Sequence, residues 1–400
     1  MNRQSFIFTG LILLAACTSE IPMVNLGIDD TYYISRMSKL PLESALTGDA
    51  YVWKVNGEEV STDRSYVFIA RDEGSYDLSF DIIDERTPYH FDFTVNVLHE
   101  DVEYSPYISK VYEYCPAPGQ FVNEMPRYEE GDSYADILQK AEESISGTND
   151  IMITLGGFGG YVTFGFDHSV INVPGEYDFR IWGNSFYELT DTSRKGGSAE
   201  PGIVMVSYDW NCNGIPDDEW YELAGSSYHN TSTIHNYMVS YKRPDVNRIP
   251  VPDESGYLSD TEYIPWHDSE GTDGFIPMNI FHTQSYWPEW IEHDELNFSG
   301  TRLPPNAVDT SGIGRYFILY CFDWGYVDNH PNDYADLNSF KIDWAVDSCG
   351  CHVDLPAIDF VRVYTGLNQY CGWLGETSTE LCRAADLHIK DLTGILPQVP

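Results

Sequence analysis

The stretch Gly74-Ser75-Tyr76-Asp77-Leu78-Ser79-Phe80-Asp81-Ile82 alternates apolar and polar side chains residue by residue. Only an extended chain, whose successive side chains point to opposite faces, gathers such a pattern onto one buried surface. Similar short segments recur along the chain, separated by clusters of Gly, Pro, Asn and Asp that favour turns. The pattern predicts an all-β protein. The 29 Tyr, 19 Phe and 10 Trp agree with it, because aromatic side chains suit a pleated, half-buried surface. Four hundred residues are enough for more than one core.

Residues 31–100 read as one unit, a small antiparallel sandwich. Tyr51-Val52-Trp53-Lys54-Val55 runs into Asn56-Gly57, the strongest two-residue hairpin signal in the chain. Tyr66-Val67-Phe68-Ile69-Ala70 and Phe91-Asp92-Phe93-Thr94-Val95-Asn96-Val97 supply further strands. The order W-x-V-N-G, G-x-Y-x-L, F-x-V-x-V resembles a PKD-like, immunoglobulin-type module. That resemblance implies a spacer.

Past a charged linker, residues 108–392 read as a larger, jelly-roll-like β-sandwich. Strands are expected at residues 151–155, 161–166, 177–182, 203–208, 237–241, 316–322, 340–346 and 360–365. One short helix is expected over 133–146. Ser133 can cap it, Asp136 can complete a capping box, and Ile137, Leu138, Ala141 and Ile145 form an apolar stripe. Gly156-Gly157-Phe158-Gly159-Gly160 precedes a strand and lacks the Lys-Ser/Thr of a phosphate loop, so it reads as a tight turn.

The N-terminus reads as an export signal. Arg3 gives a positive start, residues 6–14 are apolar but too short to span a bilayer, and Leu14-Ala15-Ala16-Cys17 has the form of a lipobox. Residues 1–16 are then a signal peptide, Cys17 carries lipid, and residues 17–30 form the anchor and tether. Thr18, in place of an aspartate, favours the outer membrane, and the anchored chain is expected to face the cell exterior. A net charge of -41, from 63 acidic and 22 basic residues, argues against nucleic-acid partners and anionic surfaces, and leaves calcium and neutral ligands open. With Cys17 lipidated, seven cysteines remain, an odd number. Cys371–Cys382 is the pairing favoured by proximity, whereas Cys349-Gly-Cys351 is too tight for an easy bridge and suggests two separate buried thiols.

Asp209-Trp210-Asn211-Cys212-Asn213-Gly214-Ile215-Pro216-Asp217-Asp218-Glu219 has the D-x-N-x-N-G head of a calcium loop. Oxygen ligands at alternate positions point inward, Gly214 turns the chain, and Ile215 offers its carbonyl. Trp220 stands where an EF-hand has its bidentate glutamate, so Asp217, Asp218 and Glu219 are the remaining candidates for a structural calcium site. An Asx-rich turn without metal is the competing reading.

Three aromatic clusters lie among loop-forming residues: Tyr286, Trp287 and Trp290; Trp324 and Tyr326 with His330; Asn368, Tyr370 and Trp373. Flat apolar faces beside amides suit a sugar or a macrocycle. Core packing competes as the explanation for any single tryptophan. No HExxH, GxSxG, kinase or Walker signature is present, so no catalytic residue is assigned and an enzyme is not expected. Paired carboxylates of a glycan- or peptide-acting hydrolase stay open in so acidic a chain.

Over roughly residues 110–390 the motifs Cys115-Pro116-Ala117-Pro118-Gly119-Gln120-Phe121, Glu200-Pro201-Gly202, Asp217-Asp218-Glu219-Trp220-Tyr221, Leu303-Pro304-Pro305-Asn306 and Asp323-Trp324-Gly325-Tyr326 resemble PKD-like cell-surface lipoproteins of Bacteroidota. The resemblance implies capture of cobalamin for an outer-membrane TonB-dependent transporter, with calcium-stabilised carbohydrate capture as the alternative. Cys212 and Cys349-Gly-Cys351 depart from the pattern.

Overall fold

A computed structural model describes residues 26–84, 88–100, 102–189 and 193–389. The expected signal peptide and lipidated Cys17 lie outside the described residues. The chain divides into two compact units: Met1–Tyr32, Pro41–Tyr66 and Ser75–Asn96 form the first, and Tyr33–Leu40, Val67–Gly74 and Val97–Pro400 the second. The first unit's last segment ends at Asn96, and two earlier segments cluster with the second unit. Leu26 and Ile28 are buried, so the chain packs before the expected tether ends at residue 30.

The N-terminal strands form a five-stranded sheet, in the order Thr31–Ser35, Tyr89–Leu98, Gly74–Ile83, Ala50–Val55, Glu58–Ser61. A separate pair, Leu40–Glu43 with Ser65–Phe68, accompanies it. The alternation in Gly74–Ile83 buries Leu78, Phe80 and Ile82, as period-two patterning requires. Trp53 is buried against Phe80, with ring centroids 3.8 Å apart. Asn56 and Gly57 both take positive φ, 51° and 87°, the conformation of a two-residue hairpin matched to strand twist.

In the second unit a six-stranded antiparallel sheet runs Ala345–Val346, Trp220–Leu223, Gly202–Ser207, Ala357–Thr365, Tyr161–Ile171, Lys110–Cys115. Val162, Phe164, Val204, Val206, Val361 and Val363 cover one core. The helix Tyr134–Ile145 closes it with Ile137, Ala141 and Ile145. Its predicted capping box forms: Ser133 accepts from the Asp136 N–H and Asp136 accepts from the Ser133 N–H. The expected strand over 340–346 is instead two two-residue strands around a short 3-10 turn, Ile342–Trp344. Asp178 accepts the Ile342 N–H, which draws the chain out of the strand path.

A four-stranded sheet, Asp273–Asn279, Leu258–Asp268, Ile234–Lys242, Glu295–Arg302, was legible in only one of its strands. Leu258–Asp268 is rich in polar residues and contains Pro265, which argues against a strand because it cannot donate to a ladder. The structure tolerates Pro265 because pairing with Ile234–Lys242 stops at Trp266. Tyr237, Val239, Tyr241, Ile264 and Ile276 from this sheet form a second core. The glycine run makes the predicted turn. Gly156 has φ of 68°, and a Cβ there would lie 1.9 Å from the Ala117 carbonyl oxygen.

Candidate functional site

The residues 209–219 fold back on themselves as a metal loop does. Asp209 accepts backbone N–H groups of Asn213 at 3.0 Å and Gly214 at 2.9 Å. The Asn211 and Asn213 amides reach the carboxylates of Asp217 and Asp218 at 3.1–3.3 Å. Burial and the neighbouring Asp209 and Asp217 raise the Asp218 carboxyl. Two expected ligands are otherwise engaged: the Ile215 carbonyl accepts from the Asp217 N–H, and Glu219 accepts from the Tyr221 hydroxyl. A cation already faces the loop, since Lys39 donates to the Asp209 carbonyl at 2.9 Å and to Asp359 at 2.7 Å.

Most of the expected aromatic site is interior. Tyr286 and Trp287 are 0% and 1% exposed and pack in the second core, and Trp290 is buried beside Tyr114. Tyr326 is buried and accepts the Ser227 N–H through its hydroxyl. His330 is buried between the Tyr187 hydroxyl and the Asp323 carbonyl, and burial lowers its pKa, which suits a neutral structural histidine. Asn368 donates to Tyr237, and half-buried Tyr370 packs on the second core. Tyr286, Trp287 and Tyr370 pack where they do because the four-stranded sheet needs apolar partners. Trp324 keeps an open face while packing on Trp344. Trp373 lines a cavity. The cysteines also differ from expectation. Cys371 and Cys382 are buried free thiols, and Cys349 and Cys351 are exposed, placed in a hairpin turn tied by Asp347.

That cavity encloses about 360 Å³. Phe121, Phe186, Phe317, Trp373 and Leu374 supply apolar walls, and Glu200, Glu376 and Ser378 supply polar ones. Trp373 continues the walls outward, meeting Phe281 edge-on at 5.6 Å and Tyr257 at 6.4 Å. Phe281 is 55% exposed, and Tyr257 lies beneath Arg315. The motif Pro118-Gly119-Gln120-Phe121 now has a cause. Glu376 accepts the Gln120 N–H at 2.7 Å, and a Cβ on Gly119 would stand 2.4 Å from that same carboxylate oxygen. Gln120 in turn donates to the Leu374 carbonyl and accepts from Asn279.

The segment 376–380, Glu-Thr-Ser-Thr-Glu, is buried throughout. Burial pushes the carboxyls of Glu376 and Glu380 up to about 8. Glu200 is raised by burial first and then by Glu380 and Asp328. Asp328 is raised by burial too, but its two oxygens accept the N–H groups of Asn184, Ser185 and Glu380 at 2.7–3.0 Å, which favour the charged form. Sequence reading passed over this segment because it carries no spacing motif and its partners come from distant strands.

A search of curated protein sequences returns no match. Among solved structures the chain is similar to a quinonprotein alcohol dehydrogenase-like protein from Bacteroides thetaiotaomicron, at 12% identity and a TM-score of 0.17, over 62% of this chain and 47% of that one. A SusE-like protein matches at 8% identity and a TM-score of 0.25, over 90% and 94% of the two chains. A structure described for carbohydrate-binding modules of the β-sandwich superfamily matches at 9% identity and a TM-score of 0.15, over 89% and 94%. Backbones with such scores do not superpose, and none of these proteins' properties carries over to this chain. Among the described residues no helix is long and apolar enough to cross a membrane. Residues 22–84 match the PKD-like domain family, so the N-terminal sandwich is similar to a PKD-like domain.

Proposed function

We propose that this chain is a cell-surface protein that captures carbohydrate. The observation that carries the reading is the cavity beside Trp373, where exposed rings adjoin the half-buried carboxylate of Glu200 and the buried one of Glu376. Aromatic faces stack on the apolar faces of sugar rings, and carboxylates accept hydroxyl hydrogens. Cobalamin suits the cavity less well. Its macrocycle and nucleotide exceed a volume near the low end of ligand pockets, and its phosphate would meet acidic walls. In this reading Cys17 carries the lipid, the N-terminal sandwich is a spacer, calcium steadies residues 209–219, and an outer-membrane transporter receives the glycan.

The full exported chain, screened on a glycan array and then by titration calorimetry, tests the proposal. Trp373→Ala should weaken the retained glycan at least tenfold, about 1.4 kcal/mol, with an unchanged melting temperature. Absence of any glycan at micromolar protein, with cyanocobalamin co-eluting on gel filtration, would replace this reading with the corrinoid one.

A further inference from the structure

Glu200, Asp328 and Glu380 each bring a carboxylate oxygen within 4.8 Å of the other two. Asp328 and Glu380 are buried, and Glu200 reaches the cavity. Three negative charges this close in a dry interior require protons or a cation between them. Among the described residues no lysine or arginine pairs with any of the three. The hydrogen bonds favour ionised groups. Asp328 receives three backbone N–H donors, two on Oδ1 and one on Oδ2. Glu380 Oε1 lies 2.8 Å from the Ser378 hydroxyl and 3.0 Å from that of Thr154, while the Asn184 amide donates to Oε2 at 3.4 Å.

Two further oxygens point to a ligand. Glu376 is 4% exposed, and its Oε2 has no hydrogen-bond partner, although Oε1 accepts from Gln120. It lines the cavity with Glu200 and is near enough to raise both Glu200 and Glu380. Ser185 is 6% exposed, and its Oγ is likewise unpartnered, on the residue whose N–H holds Asp328. A buried oxygen without a donor is costly unless something supplies positive charge.

We propose that Glu200, Asp328 and Glu380 bind one divalent cation of the calcium class, with Glu376 and Ser185 as adjacent oxygen donors. An all-oxygen set without His or Cys selects a hard ion, and a span of 4.8 Å accommodates ligands at calcium distances of about 2.3–2.6 Å. The site is distinct from the loop at Asp209 and shares Glu200 and Glu376 with the cavity wall.

The test uses the full chain stripped with chelator, titrated with calcium chloride by calorimetry and read again by terbium luminescence. The double variant Asp217→Asn, Asp218→Asn disables the exposed loop and should keep one calcium per chain. Glu200→Gln should weaken that remaining binding at least tenfold with an unchanged circular-dichroism spectrum. Undiminished binding in Glu200→Gln would overturn the proposal. If Glu200→Gln does not fold, the loop variant decides alone: one retained calcium upholds the cavity site, and complete loss at millimolar calcium overturns it.

Discussion

Two regions of the second unit gather carboxylates, and they do so by opposite means. Residues 209–219 bring Asp209, Asp217 and Asp218 together within one turn, with Asp209 buried, Asp218 half-buried and Asp217 exposed, and neighbouring amides, backbone N–H groups and Lys39 answer their oxygens. Under the cavity, Glu200, Asp328 and Glu380 come from three distant segments and meet in the interior without a basic partner among the described residues. In the loop, chain proximity does the assembling and water screens the exposed Asp217, so that carboxylate is worth little to stability. In the cavity site, the sheets hold the carboxylates at close quarters, and each hydrogen bond to them is hard to replace.

The sharpest way to break this contrast is a matched pair of truncations. Asp328→Ala strips the acceptor from the N–H groups of Asn184, Ser185 and Glu380. The donors of Ser185 and Glu380 lie on buried residues, and buried unsatisfied donors cost about 1–3 kcal/mol each, so urea unfolding should register a loss of at least about 2 kcal/mol. Asp217→Ala, measured in chelator, should lose less than about 1 kcal/mol. Equal losses would erase the distinction.

Glu222 provides a smaller test, because it is a half-buried carboxylate outside both groups. It accepts from the Thr301 hydroxyl at 2.6 Å, and burial pushes its carboxyl up to about 7. The folded state holds this proton more tightly than the unfolded chain does. Its contribution is therefore complete below about pH 4.3 and is lost as pH rises through about 7, by up to about 3 kcal/mol. Urea midpoints between pH 5 and 8 in saturating calcium should fall with pH, and Glu222→Gln should flatten the slope. A slope unaffected by the substitution would move its origin to the cavity carboxylates.

The smallest effect concerns labelling alone. Cys212, Cys349 and Cys351 are exposed and should alkylate in the native protein, while buried Cys371 and Cys382 should react only after unfolding. Burial also raises the Cys371 and Cys382 thiols, which slows them further. A mass spectrum showing a Cys371–Cys382 bridge would contradict the structure.

Local signals were read well where the cause is local. The capping box at Ser133 and Asp136, the hairpin at Asn56-Gly57 and the turn at Gly156–Gly160 each depend on a few adjacent residues. Leu258–Asp268 was missed because its polar residues and Pro265 mask a strand whose place is set by neighbours. Tyr286 and Trp287 were expected at a ligand because loops surround them, and burial depends on the sheet that covers them. Of the cavity, only Trp373 was legible.

The chain's own order of residues determined an all-β class, a PKD-like first module, one capped helix and a tight acidic loop at residues 209–219, because each follows from periodicity or from contacts within one turn. Only the tertiary structure decided which aromatics face solvent and which carboxylates meet. Those outcomes depend on strands far apart in sequence becoming neighbours, and period-two alternation fixes which face a side chain takes without saying what that face will meet.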